Sequence, residues 1–358
     1  MAIELWDYDS TAYVVLLRIH EFTLVLSLIL GFYFLTQIYN LSLIHVNLRI
    51  LLCNLPLLFI IMNVSRIVSY IWEYYLYRHP NTTISPFTAN CFCLIFRFTE
   101  ECGVGCLALS IPQIAIERSF ATVFRSTYES YGSRLGIMMT VKTYIGAILF
   151  STSLFIYQIF NVEDFKFNEI HATCRLEAFS SLLPLYFGVW FMAIFITIGS
   201  TGIMFVAYYF NRKECYRKKS LHLSLRYQFR ENVNTLRSLL PPITAFLICD
   251  FLGVGILYII FHDNLPDRQI AIALQVIHII PQGYCIFTVS WFMYSFSAVR
   301  QRVKEDLQRF LLIKKASSNR IKSGQLNSMS IQMRSNQNDH FTSLVDSWNL
   351  KFVDRISK

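Results

Sequence analysis

Seven long apolar runs divide this chain, and they restrict its fold more than any other feature. They lie at about residues 22–44, 48–72, 88–116, 137–160, 181–210, 239–261 and 270–296. Most reach the roughly 20 residues that a helix needs to cross the hydrocarbon core of a bilayer. Each run is continuous rather than alternating, which is the pattern of a helix and not of a barrel strand. Because lipid offers no hydrogen bonds to the backbone, the runs predict an all-α membrane protein, a bundle of seven transmembrane helices.

Composition agrees with a membrane protein and argues against several functions. Apolar residues make up 54% of the chain and charged residues only 15%, whereas a soluble domain carries about 25% charged residues. The sequence contains no nucleotide-binding loop, no His and Cys set with metal-ligand spacing and no nucleophile beside a base. We therefore expect no enzymatic activity, no cofactor and no metal. The net charge of +9 is concentrated between alternate runs, so we expect membrane lipids and not nucleic acid as its partner.

The distribution of Lys and Arg predicts the orientation of the bundle. With the N-terminus outside, 25 of these residues fall in cytoplasmic segments and 5 in extracellular ones. Positive residues favour the cytoplasmic side, where they face anionic lipids. The predicted organisation is an extracellular N-terminus at 1–21, a bundle at 22–296, and a cytoplasmic C-terminus.

Two extracellular modifications follow from this orientation. Asn81 begins an Asn-Thr-Thr glycosylation sequon in the first outer loop. Cys174 is the only cysteine of the second outer loop, and Cys91 and Cys93 lie at the outer end of the third run. Because the exterior is oxidising, these positions predict one disulfide bond from Cys174 to Cys93 or to Cys91.

The segment after the seventh run predicts a different kind of helix. Val299, Val303 and Leu307 recur at helical spacing, with basic residues on much of the other face. This pattern predicts an amphipathic helix at 297–315 that lies on the membrane surface. Residues 316–358 are rich in Ser, Asn and Gln, which predicts a disordered cytoplasmic tail.

A Glu117-Arg118 pair at the inner end of the third run has two interpretations. In the first interpretation, Arg118 is an anchor whose side chain reaches the bilayer surface. In the second interpretation, Arg118 is a switch that pairs with a carboxylate at rest and turns towards a G protein in the active state. Glu231, on a predicted helical extension before the sixth run, is the candidate resting partner, with Glu117 and Glu129 as alternatives.

Ionisable residues inside the runs are candidate ligand contacts, because charge within a membrane is costly. Arg97 lies three and four residues before Glu100 and Glu101, a spacing that allows ion pairs within one helix. This group either forms ion pairs among its own members and stabilises the bundle, or provides polar contacts for a ligand in an apolar pocket. Arg66 is expected to neutralise the second glutamate. The candidate ligand residues are Arg66, Arg97, Glu100, Glu101, Asp250 and His278.

The predicted bundle, its orientation and the Glu-Arg pair together resemble a G-protein-coupled receptor. The sequence is more specifically similar to nematode serpentine chemoreceptors of the Sra superfamily, with class epsilon (Sre) first and the alpha-beta class (Srab) second. Residues 116–122 (Ile-Glu-Arg-Ser-Phe-Ala-Thr) followed by Tyr128-Glu129 are similar to the signature of that group. Residues 226–232 are similar to its third inner loop.

The resemblance implies a chemosensory receptor that binds a small-molecule odorant or pheromone outside and signals to a heterotrimeric G protein inside. It also implies a plasma-membrane location, in the cilia of sensory neurons. The chain has Glu-Arg-Ser where rhodopsin-like receptors have Asp-Arg-Tyr, and the last run lacks their Asn-Pro-x-x-Tyr motif. Only the role of Arg118 is therefore carried over from them.

Two alternative functions belong to other classes of membrane protein. Odorant-gated ion channels with seven spans have the inverted orientation, which the distribution of Lys and Arg opposes. A transporter is expected to have inverted repeats and unwound helices at mid-membrane, and no matching repeat accompanies Gly103 and Gly105 of the third run.

Overall fold

A computed structural model describes residues 11–40, 44–79, 84–128, 132–161, 183–217, 223–262 and 265–318. The regular elements in these ranges are all helices, which confirms the all-α fold. They are α1 (Thr11–Tyr39), α2 (Val46–Arg78), α3 (Pro86–Val123), α4 (Arg125–Tyr128), α5 (Arg134–Asn161), α6 (Leu183–Arg217), α7 (Leu223–His262), α8 (Asp267–Ser295) and α9 (Ser297–Ser318).

Each predicted run corresponds to one long helix. The first begins at Thr11, inside the segment 1–21 that was predicted as an extracellular terminus, and α7 includes the polar extension predicted before the sixth run. Six of the described helices are long and apolar enough to cross a membrane, and α3 is not among them. The reason lies in its sequence, because α3 carries Arg97, Glu100 and Glu101 in its first half and Glu117 and Arg118 near its C-terminal end.

Helix α3 is the central helix of the bundle. It packs against α2, α5, α6 and α7, while α1 packs against α2 and α8, and α7 also packs against α6 and α8. Its first turn begins at Pro86, and the Ser85 side chain accepts a hydrogen bond from the Thr88 N–H as an N-cap. Charged groups on α3 therefore reach most other helices.

A close contact between α2 and α5 fixes the bundle near the C-terminal end of α3. The Asn47 side chain accepts a hydrogen bond from the Gly136 N–H at 2.9 Å, so that α2 supplies a cap for the first turn of α5. A Cβ atom at Gly136 would lie 2.8 Å from the backbone of Asn47. Glycine is therefore required for this approach.

Helix α9 begins directly after α8. Val299 is fully buried, and the Arg302 guanidinium donates to the Asn40 carbonyl at 3.2 Å. The chain forms two compact units, Met1–Arg302 and Val303–Lys358, and the boundary between them falls within the residue range of α9. Its position on a membrane surface stays a prediction, and the predicted tail lies outside the described residues from 319 onward. Asn81, Glu129 and Cys174 also lie outside them.

Candidate functional site

The first candidate site, here called the Arg118 cluster, consists of Glu117, Arg118, Tyr128 and Asn232. Glu117 is completely buried and Arg118 is 3% exposed, although both lie at the end of α3. The Arg118 guanidinium donates two hydrogen bonds to the Glu117 carboxylate, from Nε to Oε2 and from Nη2 to Oε1, both at 2.5 Å. This fork geometry is among the strongest that side chains make.

Tyr128 of α4 completes the pairing between these two residues. Its hydroxyl donates to Glu117 Oε1 and accepts from Arg118 Nη2 at 3.3 Å. Burial raises the pKa of Tyr128 above its ordinary value, which keeps this proton in place. The ring of His45, the residue before α2, lies 4.2 Å from the Tyr128 ring. The loop after α3 is thus folded back over the ion pair.

Helix α7 reaches Arg118 through an amide. Asn232 Oδ1 accepts from Arg118 Nη1 at 3.4 Å, and Asn232 Nδ2 donates to the Ala121 carbonyl at 3.3 Å. Glu231, the residue before Asn232, lines a cleft beside Arg118 and contributes to the electrostatic field at Arg118. The direct carboxylate partner of Arg118 is therefore Glu117, one of the alternatives in the sequence analysis. The role of Glu231 as the resting partner stays a prediction.

An open cleft exposes one edge of this cluster. It lies between α3, α4, α7 and the start of α2. Its lining residues are His45, Arg118, Ala121, Tyr128, Gln228, Glu231 and Asn232. On the other side of α3, the Asn211 amide of α6 donates to the Thr122 hydroxyl at 2.8 Å. Hydrogen bonds to uncharged side chains consequently join the end of α3 to both α6 and α7.

The second candidate site, here called the Arg66 cluster, consists of Arg66, Arg97, Glu100, Glu101 and His278. Arg66 Nη2 of α2 lies 2.6 Å from Glu100 Oε1 of α3, and it also donates to the His278 ring of α8. Arg97 Nε pairs with Glu101 at 3.0 Å, and Arg97 Nη1 lies 3.8 Å from Glu100. The structure thus brings together five of the six predicted ligand residues.

A second polar group extends this cluster towards α1. The Tyr70 hydroxyl and the Gln275 amide nitrogen each lie 2.8 Å from Nδ1 of the buried His20, within hydrogen-bond distance. The His20 and His278 rings are nearly parallel with centroids 6.4 Å apart. His20, Tyr70 and Gln275 were not predicted as site residues. Tyr70 and Gln275 are polar residues within apolar runs, and His20 precedes the first predicted run.

The sixth predicted ligand residue, Asp250, has a different environment. It is 6% exposed on α7, and its carboxylate accepts a hydrogen bond from the Thr197 hydroxyl of α6 at 3.2 Å. Asp250 therefore holds α7 to α6, and its place in a ligand pocket stays a prediction. Among the described residues, no group of three His, Cys, Asp or Glu side chains could hold a metal ion.

The cysteines near the start of α3 differ from each other. Cys93 is disulfide-bonded, whereas Cys91 carries a free thiol. The predicted partner of this bond, Cys174, lies outside the described residues. The pairing of Cys93 with Cys174 accordingly stays a prediction.

Comparison with known proteins places this bundle in a family. The model of the serpentine type 7TM GPCR receptor class ab chemoreceptor matches residues 8–317, which include both clusters. The chain belongs to this Srab family. Class epsilon, named first in the sequence analysis, is not supported, and the alpha-beta class is. The short Glu-Arg and Tyr-Glu motifs used in the sequence analysis did not separate the two classes.

Individual relatives of this Srab-family chain are distant. It is 25% identical over 242 residues to the probable G-protein coupled receptor F27E5.8 of Caenorhabditis elegans, covering 65% of this chain and 62% of the relative. Serpentine receptor class alpha/beta-14 of the same organism is 27% identical over 173 residues, covering 46% and 41%. Serpentine receptor class alpha-39 is 26% identical over 204 residues, covering 55% and 51%. The matched regions thus span less than two thirds of these relatives.

Proposed function

We propose that this Srab-family chain is a chemosensory receptor that binds a small-molecule odorant or pheromone outside the cell and signals to a heterotrimeric G protein inside. The observation that carries the proposal is the Arg118 cluster. A buried arginine is held at the end of the central helix by a carboxylate, a tyrosine and an α7 amide. A guanidinium in that position has a second set of partners available, the backbone carbonyls of a protein that enters the cleft.

The proposed orientation puts the Arg118 cluster on the cytoplasmic side of a plasma membrane, in sensory cilia. It rests on the excess of Lys and Arg in the segments assigned to that side. The amphipathic α9 then contacts the inner leaflet, and Asn81 is glycosylated outside. Endoglycosidase treatment should shift the gel mobility of the wild type and leave Asn81→Gln unchanged. An unshifted wild type with its C-terminus open to external protease contradicts this orientation.

A disulfide bond from Cys93 to Cys174 is part of the proposal. Cys93 is the bonded cysteine of α3, and Cys174 is the one cysteine assigned to the second outer loop. Peptide mapping of surface-expressed protein without reductant should recover Cys93 and Cys174 in one linked pair. Recovery of Cys174 as a free thiol rules this bond out.

The ligand site is proposed to lie over the Arg66 cluster, with Arg97 and Glu101 as its polar contacts. Their ion pair lies within α3, so that one partner can exchange for a ligand without separating two helices. Glu101→Gln is expected to shift the ligand concentration for half-maximal response while the surface level holds. If only the surface level falls, the pair stabilises the bundle and does not contact ligand.

The test of the function is a cellular screen. The chain is expressed with a promiscuous G protein, and calcium release is recorded against panels of volatile and soluble odorants. We expect a response that needs both the receptor and the G protein. A ligand-evoked current that persists without any G protein indicates a channel instead, and ligand uptake without signalling indicates a transporter.

A further inference from the structure

Two consecutive prolines interrupt the hydrogen bonding of α7. Pro241 and Pro242 lie inside this helix, where each residue normally donates its N–H to the carbonyl four residues earlier. Proline has no N–H, so Pro242 leaves the carbonyl of Ser238 without its helical donor. A buried carbonyl that is left without a donor destabilises the fold. A donor from elsewhere in the bundle therefore stabilises this point.

The donor comes from the neighbouring helix. The indole N–H of Trp291 in α8 donates to the Ser238 carbonyl at 2.9 Å. Ser238 is buried. Its side-chain hydroxyl donates to the Asn234 carbonyl at 3.1 Å and is therefore not the donor to the Ser238 carbonyl. The contact thus replaces the one backbone hydrogen bond that Pro242 removes.

The position of this contact separates two parts of α7 that are held differently. After the prolines, Phe246 packs on Tyr284 of α8 with ring centroids 5.2 Å apart, and Asp250 is bonded to α6. Before the prolines, Asn232 bonds Arg118 at 3.4 Å and the Ala121 carbonyl of α3 at 3.3 Å, and the side chains of Phe229 and Leu236 are buried. Trp291 acts at the junction between these two parts.

We propose that Trp291 is a positioning residue that fixes the direction of the α7 segment preceding Pro241 by capping the Ser238 carbonyl. When the indole is engaged, the segment 223–240 keeps Asn232 against Arg118. When it is not, the carbonyl turns towards another donor and the segment swings about the prolines. The effect on signalling rests on the proposed function, but the effect on stability does not.

A double-mutant cycle between the donor and the proline tests the inference. Trp291→Phe keeps an aromatic ring and removes the N–H. Pro242→Ala restores a backbone N–H that can bond Ser238 directly. We expect Trp291→Phe alone to raise the ratio of active to inactive receptor about tenfold, measured as ligand-independent signalling at equal surface density. In the Pro242→Ala background the same substitution should change this ratio less than about twofold.

The second measurement is the thermal stability of the purified protein in detergent. Trp291→Phe should lower the unfolding temperature in the parent chain and leave it almost unchanged in the Pro242→Ala background. This result does not require any G protein, so it separates failure of the inference from failure of the proposed function. If Trp291→Phe does not reach the surface, Pro242→Ala should rescue it.

Trp72 provides a matched control. Its indole N–H donates to the Ala89 carbonyl at 3.4 Å, and this carbonyl keeps its helical donor, because residue 93 is a cysteine and not a proline. Trp72→Phe should therefore show no coupling to Pro242→Ala in either measurement. The inference is overturned if Trp291→Phe has no effect, if its effect is equal in both backgrounds, or if Pro242→Ala fails to rescue an unfolded Trp291→Phe.

Discussion

The Arg118 cluster and the Arg66 cluster both bury an arginine against a glutamate, but they differ in which helices the ion pair joins. Arg118 and Glu117 are neighbours on α3, and long hydrogen bonds of 3.3 and 3.4 Å to the uncharged Tyr128 and Asn232 connect Arg118 to α4 and α7. Arg66 and Glu100 lie on different helices and meet at 2.6 Å. Moving α7 therefore breaks weak contacts, whereas separating α2 from α3 breaks a buried ion pair.

This difference teaches where the bundle is rigid and where it can change shape. Removing one partner of a buried ion pair costs about 3–5 kcal/mol, because the other charge stays buried. Losing a hydrogen bond between a charged group and an uncharged partner costs about 1.5–3 kcal/mol. Coupling free energies between two sites of a protein are typically about 1–3 kcal/mol, which is enough for the second change and not for the first. We infer that the Arg66 cluster keeps α2 and α3 in fixed positions and call it the fixed joint. The Arg118 cluster allows α7 to move, and we call it the labile joint.

The largest expected effect is at the fixed joint. Glu100→Ala leaves the Arg66 guanidinium buried without its carboxylate and should reduce the free energy of unfolding by about 3–5 kcal/mol. Thermal unfolding in detergent measures it. Arg18→Ala is the control, because Arg18 and Glu21 pair at 2.6 Å but are largely exposed, and it should change stability little. If both variants lose equal stability, the Arg66 pair does not hold the bundle.

The next effect concerns the tyrosine that covers the labile joint. Tyr128→Phe removes the hydroxyl that donates to the buried Glu117 carboxylate and should cost about 1–3 kcal/mol of stability. Tyr209→Phe on α6 is the matched control, because Tyr209 is 69% exposed. The same thermal assay applies to both. Equal stability of Tyr128→Phe and the wild type shows that the hydroxyl is not needed to hold the pair.

A smaller effect is expected at the amide that links α7 to Arg118. Asn232→Ala removes the contacts with Arg118 and with the Ala121 carbonyl, so α7 should move away more easily. We expect ligand-independent signalling to rise about two- to tenfold at equal surface density. Signalling at the wild-type level means that this contact does not hold the resting state.

The smallest effect is expected at Glu231, the resting partner named from sequence. Glu231→Gln removes a charge that acts on Arg118 across the cleft, where water screens it. Ligand-independent signalling should rise about twofold, less than for Asn232→Ala. A larger rise for Glu231→Gln than for Asn232→Ala makes Glu231 the principal partner and reverses their order.

The sequence predicted the helices well, because continuous apolar runs in lipid leave the backbone little choice. It also predicted that Glu117, Arg118 and Glu231 lie near one another, since they fall at the ends of neighbouring helices. It did not predict Asn232, because one residue changes the helix face by about 100° and the sequence does not fix the rotation of α7.

The contacts of the Arg66 cluster were also only partly predictable from the sequence. The Arg97 and Glu101 pair follows from spacing within one helix. The contact of Arg66 with Glu100 and His278 depends on which faces of α2, α3 and α8 meet, and this is decided by packing over the whole bundle. The position of Asp250 towards α6, apart from these residues, has the same origin.

The most direct test of the account is nucleotide exchange on a G protein by purified receptor variants in lipid vesicles. Arg118→Ala is compared with the wild type and with Lys142→Ala, a basic residue that is exposed on α5. Arg118→Ala should be less stable than the wild type, because it leaves the Glu117 carboxylate buried without its guanidinium. Compared at equal amounts of ligand-binding protein, we expect Arg118→Ala to lose ligand-stimulated exchange and Lys142→Ala to keep it. Ligand-stimulated exchange by Arg118→Ala at the wild-type rate would contradict the account and make Arg118 an anchor.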